Sequence, residues 1–339
     1  MGNLRHTFRF AAVRIAALAT VCGLFAIASS PAEAAVGFQR LTYAAPGGGH
    51  VEAGIWYPSE GTEKPEPMSL NEQDVVTGGA IRGTDLPLVV ISHGTGGSLA
   101  GHYDTAIALA KAGFVVAALT HPGDNYQDNS RALFISDRPK QVSQLLDFML
   151  ERWSGRASLS TQKVGAFGFS AGGFTVLALA GGRYDLALVS EHCADHPAEW
   201  TCTYVANSPV PVNFAVPRGD GADTDPRIKA VVVAAPALGY TFGKAGLADV
   251  RIPLQLWRAA DDEILPQPFY AQAVYDALPV APQYFVVPDA GHYDFLAPCS
   301  AALAQRVPDI CTSAPGFDRA AFHRRFNAAV VDFFKENLR

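Results

Sequence analysis

Three residue types that together can make a serine nucleophilic occur in this chain in a usable order. They are Ser170 in Gly168-Phe169-Ser170-Ala171-Gly172, Asp262 in Ala260-Asp261-Asp262-Glu263, and His292 in Ala290-Gly291-His292-Tyr293. A serine hydroxyl is a poor nucleophile at neutral pH until an imidazole takes its proton. The imidazole in turn needs a carboxylate to fix its tautomer and stabilise its charged form. Glycine on both sides of Ser170 suits a sharp strand-to-helix turn, because it removes the Cβ atoms that would collide across so tight a bend. Such a group attacks carbonyl carbon, and the resulting oxyanion needs preorganised N–H donors. The expected donors are Ala171, next to the serine, and Thr95 in His93-Gly94-Thr95-Gly96-Gly97.

The competing candidates are less well placed. His93 and His121 precede the serine and read as pocket-lining or loop-holding residues. His192 and His196 fall in the segment 183–226, and His50, His102 and His323 read as surface or packing residues. For the acid, Asp262 stands four residues before Pro266 and fits better than its neighbour Asp261, which stays open as the alternative. The Gly-rich turn at 93–97 does not read as a nucleotide loop. Leu99 stands where a dinucleotide fingerprint needs a small residue, and a Walker lysine is missing.

These side chains must be delivered by strand ends. Continuous apolar runs at 86–91, 114–119, 164–167, 228–234, 252–257 and 284–287 have the length of strands buried on both faces. They alternate with helical patterns at 101–111, 142–153, 174–180, 268–277 and 319–337. Alternation of this kind predicts an α/β fold with a mostly parallel sheet and helices on both faces. A first strand pair is expected at 37–43 and 50–57, a loop at 58–84, an insertion over the sheet edge at 183–226, and a cysteine-bracketed loop at 299–311.

The N-terminus carries Arg5, Arg9 and Arg14, then an apolar run at 15–28 and Ala32-Glu33-Ala34. This reads as a signal peptide over 1–34, with a membrane anchor as the alternative, and implies a periplasmic or secreted protein whose single catalytic domain spans 35–339. No later stretch is apolar enough to span a membrane. Cys193, Cys202, Cys299 and Cys311 remain after the leader, and their short separations favour Cys193 with Cys202 and Cys299 with Cys311. A zinc site around His192, Cys193, Asp195, His196 and Cys202 is the rival reading, but the spacing matches no standard zinc pattern. The formal charge of −6 argues against nucleic acid or anionic lipid as partners.

With these residues in place, the chain resembles the secreted bacterial branch of the dienelactone-hydrolase-like and platelet-activating-factor-acetylhydrolase-like α/β hydrolases. The resemblance rests on Ile55-Trp56-Tyr57-Pro58, the turn from Ser92 to Gly97, Thr120-His121-Pro122-Gly123, the elbow from Gly168 to Gly173, Gly291-His292, and Gly316-Phe317-Asp318-Arg319. It implies an α/β-hydrolase fold and hydrolysis of small-molecule carboxylic esters through an acyl-serine intermediate, with no metal or organic cofactor. The chain departs from the family in two places. Ser170 stands where dienelactone hydrolases proper have cysteine, which argues against a lactone substrate. Ala234-Ala235-Pro236-Ala237 lacks the carboxylate that the eukaryotic acetylhydrolases carry there, so the acid falls to Asp262 or Asp261, and phospholipid specificity is not carried over. Two further readings stand beside a small-ester esterase: a hydrolase of bulky or polymeric esters, and a catalytically silent binding protein on the same fold.

Overall fold

The computed structural model describes residues 1–2, 35–46, 48–209 and 223–339. All of the expected leader but its first two residues, and residues 210–222 of the expected insertion, lie outside the described residues. The strands are β1 (Ala35–Ala44), β2 (His50–Ser59), β3 (Lys64–Met68), β4 (Asn71–Thr77), β5 (Leu86–Ser92), β6 (Val115–Leu119), β7 (Leu159–Phe169), β8 (Ile228–Ala234), β9 (Leu254–Ala259) and β10 (Gln283–Val287). They form a 10-stranded sheet in the order β10-β9-β8-β7-β5-β6-β2-β1-β4-β3. Strands β5 to β10 pair in parallel, whereas β2 runs antiparallel to both β1 and β6.

The helices are α1 (Tyr103–Lys111), α2 (Asp137–Asp147), α3 (Ala171–Leu179), α4 (Ala187–Asp195), α5 (Trp200–Ala206), α6 (Gly243–Leu247), α7 (Ala271–Ala277), α8 (Ala301–Arg306), α9 (Pro308–Cys311) and α10 (Arg319–Asn337). The two-residue period of the strands splits the core into two layers. Leu88 and Val90 of β5 face the cluster holding Val142, Leu145 and Phe174 of α2 and α3, while Val89 and Ile91 face Leu109, Phe326 and Phe334 of α1 and α10. Both faces of the parallel strands are therefore covered, which is why these runs are apolar throughout. No helix among the described residues is long and apolar enough to cross a membrane.

The structure corrects several sequence expectations. The segment 58–84 is not all loop, because β3 and β4 form an antiparallel hairpin at the sheet edge, with Pro65 opposite Asp74 and Pro67 opposite Glu72. The prolines that suggested a loop are tolerated because β3 is the outermost strand, where missing N–H donors cost no ladder bond. Gln73 anchors the hairpin by accepting a hydrogen bond from Trp56 Nε1 at 2.8 Å. The cysteine-bracketed loop at 299–311 contains two short helices, α8 and α9, and α7 starts at Ala271 rather than at 268. Of the insertion, α4 and α5 are described.

Candidate active site

Because β5, β7, β8, β9 and β10 are parallel, their C-terminal ends lie along one sheet edge, the usual place for a site in such a sheet. Ser170 stands between β7 and α3 with φ 56° and ψ −118°, a backbone region that residues other than glycine rarely occupy. Its surroundings hold it there. Its N–H donates to Ala234 O at 3.0 Å, and its carbonyl accepts from Phe174 N–H at 3.2 Å and Ala237 N–H at 2.9 Å. A Cβ on Gly168 would sit 2.0 Å from Gly172 O, and one on Gly172 would sit 1.9 Å from Ser92 O, so both glycines are required by close backbone approach.

Ser170 Oγ lies 3.1 Å from His292 Nε2, and His292 Nδ1 lies 2.9 Å from Asp262 Oδ2. A carboxylate can only accept, so Nδ1–H donates to Asp262 and leaves Nε2 free to accept from the serine hydroxyl. The other oxygen, Asp262 Oδ1, accepts from Leu265 N–H at 2.7 Å and Ile264 N–H at 3.1 Å. Ser170, Asp262 and His292 are all buried. Asp261 is exposed, and its backbone N–H donates to Ala290 O. The geometry therefore brings Asp262, and not Asp261, onto His292. Glu263 adds a contact, with Oε2 accepting from His292 N–H at 3.3 Å. The turn that carries His292 is braced by Asp294, which accepts from Gly291 N–H at 2.9 Å and from Arg319 Nε at 2.9 Å.

Ala171 opens α3, where the first amides have no partner inside the helix, and it lines the cavity beside Ser170. Thr95 lines the same cavity in the turn after β5. That turn is clamped by a buried ion pair. Arg138 Nη1 lies 2.5 Å from Asp124 Oδ2, and Asp124 Oδ1 accepts from Gly96 N–H at 2.8 Å. Arg138 Nη2 donates to the carbonyl of His93, and its Nε reaches Thr175 Oγ1 at 3.3 Å. Thr175 Oγ1 in turn donates to Ala171 O at 2.8 Å. The pair thus holds the backbone on both sides of Thr95 and, through Thr175, reaches the carbonyl of Ala171.

His93 and His121 hold loops and do not line the cavity. His93 Nδ1–H donates to Gly94 O at 2.6 Å, and its Nε2 accepts from His121 N–H at 3.0 Å. His121 Nδ1–H donates to Gln141 Oε1 at 2.6 Å, and its Nε2 faces Ser92 Oγ at 2.9 Å. Burial, reinforced by the Arg138 charge, keeps both imidazoles neutral well below the ordinary histidine range. His102 and His323 are buried on the α1–α10 side, where His323 Nδ1 lies 2.6 Å from Asp104 Oδ2.

The cavity at Ser170 has a free volume of about 60 Å³ and is lined by Thr95, Ile135, Ala171, Trp200, Tyr204 and Leu238, among others. A larger groove of about 660 Å³ runs along the other side of the turn, between the β3–β4 hairpin and the 299–311 segment. Cys193 and Cys202 stand at S–S 2.03 Å, and Cys299 and Cys311 at 2.07 Å, the two pairings favoured by spacing. His192 lies 2.9 Å from Glu199 instead of sharing a ligand set with those cysteines.

Sequence reasoning did not single out Arg138, Asp124, Glu263 or Asp294. For Arg138 a signal was present, since it lies four residues before Val142 on the apolar stripe of α2, where an unpaired cation is not tolerated. Asp124 carried no comparable mark, because its partner is distant on another element.

The chain is similar to the solved structure of a ferulic acid esterase from Streptomyces cinnamoneus, at 18% sequence identity over 91% of each chain and a TM-score of 0.57. No family model matches the chain, and no curated protein matches it. The likeness, together with the mostly parallel sheet covered by helices on both faces, shows an α/β-hydrolase fold.

Proposed function

We propose that this protein is an exported serine hydrolase of carboxylic esters. The observation that carries the reading is the hydrogen-bonded series from Asp262 through His292 to Ser170, ending at the mouth of an apolar cavity. Ser170 Oγ attacks the ester carbonyl carbon as its proton passes to His292 Nε2, and the carbonyl π pair becomes an oxyanion received by the Thr95 and Ala171 amides. Collapse breaks the bond to the alcohol oxygen, which takes the proton from His292, and leaves an acyl-serine. Water, deprotonated by His292, then attacks the acyl carbon. Collapse of that adduct returns the proton to Ser170 Oγ and releases the carboxylic acid.

The esterase named in the structural likeness supports this reaction class. Export is supported by the leader pattern at 1–34 and by the two cystine pairs, which persist in oxidising compartments. Ser170→Ala is expected to abolish turnover of p-nitrophenyl butyrate and labelling by a fluorophosphonate probe while leaving the thermal transition in place. Activity retained in that variant overturns the assignment of Ser170, and failure of the unmodified chain to be labelled favours a silent binder. A second reading, hydrolysis of bulky or polymeric esters, is favoured by the groove on the far side of the Gly94–Gly97 turn. Comparable turnover of dialkyl phthalates and of p-nitrophenyl acetate would select it.

A further inference from the structure

Helix α5 begins Trp200-Thr201-Cys202-Thr203-Tyr204-Val205, so residues 200, 201, 204 and 205 fall on one helical face. All four line the cavity at Ser170. Trp200 and Tyr204 stack with ring centroids 4.9 Å apart and planes within 9°. The wall they form is tied down at several points. The Cys193–Cys202 pair joins α5 to α4, which contributes Val189 to the same cavity. Glu199, just before α5, accepts from Tyr270 OH at 2.6 Å and from His192 Nε2–H at 2.9 Å.

The residues lining this space include Ser170, Ala171 and Thr95 but not His292. The departing alcohol oxygen must come within reach of His292 Nε2 to be protonated, so it lies on the imidazole side. The part of an ester that enters the cavity is therefore the part that stays on Ser170, the acyl group. The cavity's free volume of about 60 Å³ is less than a tenth of the 660 Å³ of the neighbouring groove, so it is narrow. None of the lining residues is Asp, Glu, Lys, Arg or His, so a charged acyl end would be desolvated without a partner. We infer that the cavity is an acyl pocket for a short, uncharged acyl group, with the Trp200–Tyr204 stack as its end wall; this rests on the ester-hydrolase reading above.

The test is kcat/KM of the full chain toward p-nitrophenyl acetate, butyrate, octanoate and hemisuccinate, with fluorophosphonate labelling of Ser170 run in parallel. A methylene that does not fit an apolar pocket changes kcat/KM by about tenfold or more. The expected profile falls at least that far from butyrate to octanoate and from butyrate to hemisuccinate. Trp200→Ala, at a partly exposed position, is expected to raise the octanoate-to-butyrate ratio about tenfold, and Val205→Phe is expected to lower the butyrate-to-acetate ratio by a similar factor. A labelled, active chain with a flat acyl profile, or with ratios that neither variant moves, overturns the pocket while leaving the hydrolase reading intact. A chain that is neither labelled nor active overturns both.

Discussion

The Arg138–Asp124 pair offers a perturbation in which stability and catalysis come apart. Both side chains are buried, with side-chain exposures of 2% and 4%. Burial pulls the Arg138 guanidinium down from its usual range, and Asp124 opposes that pull. Arg138→Met leaves the Asp124 carboxylate buried without its cation, and breaking a buried pair in this way costs about 3–5 kcal/mol. At about 2–4 °C per kcal/mol for a chain somewhat shorter than this one, Tm should fall by roughly 6–20 °C. The double variant Arg138→Met, Asp124→Leu removes both charges and should recover most of that loss, since apolar replacement of a buried pair is often neutral.

Catalysis should not recover in the double variant. Without the pair, Gly96 N–H loses its acceptor and His93 O its donor, so the peptide of Thr95 between them is no longer held. Loss of one oxyanion donor costs about 10²–10³ in kcat. A donor that is misplaced but still present should cost roughly 10–10². The assay is steady-state hydrolysis of p-nitrophenyl butyrate, in which kcat should drop and KM stay within about twofold, because the donors act on the transition state. A double variant with recovered Tm and full kcat would refute the clamp and reduce the pair to a packing element.

Two further outcomes follow from the geometry. Asp262→Asn removes the acceptor that fixes the His292 tautomer and should lower kcat by about 10⁴, whereas Asp261→Asn, at an exposed side chain, should change it less than about twofold; a larger loss at 261 would reverse the assignment. Stability should also fall in mild acid. His93 and His121 are held neutral far below the usual range, and burial lowers His102 to about 3. Their folded values lie below the unfolded value of about 6.5, so the stabilisation is complete above that pH and is lost as pH falls toward the folded values. With three such groups, the slope approaches about 4 kcal/mol per pH unit at most, read as Tm between pH 7.5 and 5. A flat Tm over that window would show that these rings are solvated and titrate normally.

The sequence alone carried what local spacing and strand order determine. Gly168 marks a bend that admits no Cβ, and that requirement is legible because the obstacle, Gly172 O, stands four residues away, whereas Gly172 is demanded by Ser92 O on another strand and was legible only as part of the same pentapeptide. The continuous apolar runs marked parallel strands covered on both faces. The chain order serine, acid, histidine named the three side chains that the sheet brings together. The pairings of the cysteines followed from short separations, where closing a small loop needs little chain ordering. Local signals failed where the deciding partner was distant. The prolines of β3 suggested a loop until its position as the outermost strand was known, and the spacing to Pro266 favoured Asp262 but left Asp261 open until Ile264 and Leu265 turned their amides onto one carboxylate. The clamp around Thr95 joins Asp124, Arg138, Thr175 and Gly96 from four separate segments, and the pocket wall needs α5 laid over the serine. Such contacts exist only once the sheet has closed its two apolar layers, because a buried charge finds its counter-charge, and a cavity its dimensions, through packing rather than through sequence neighbours.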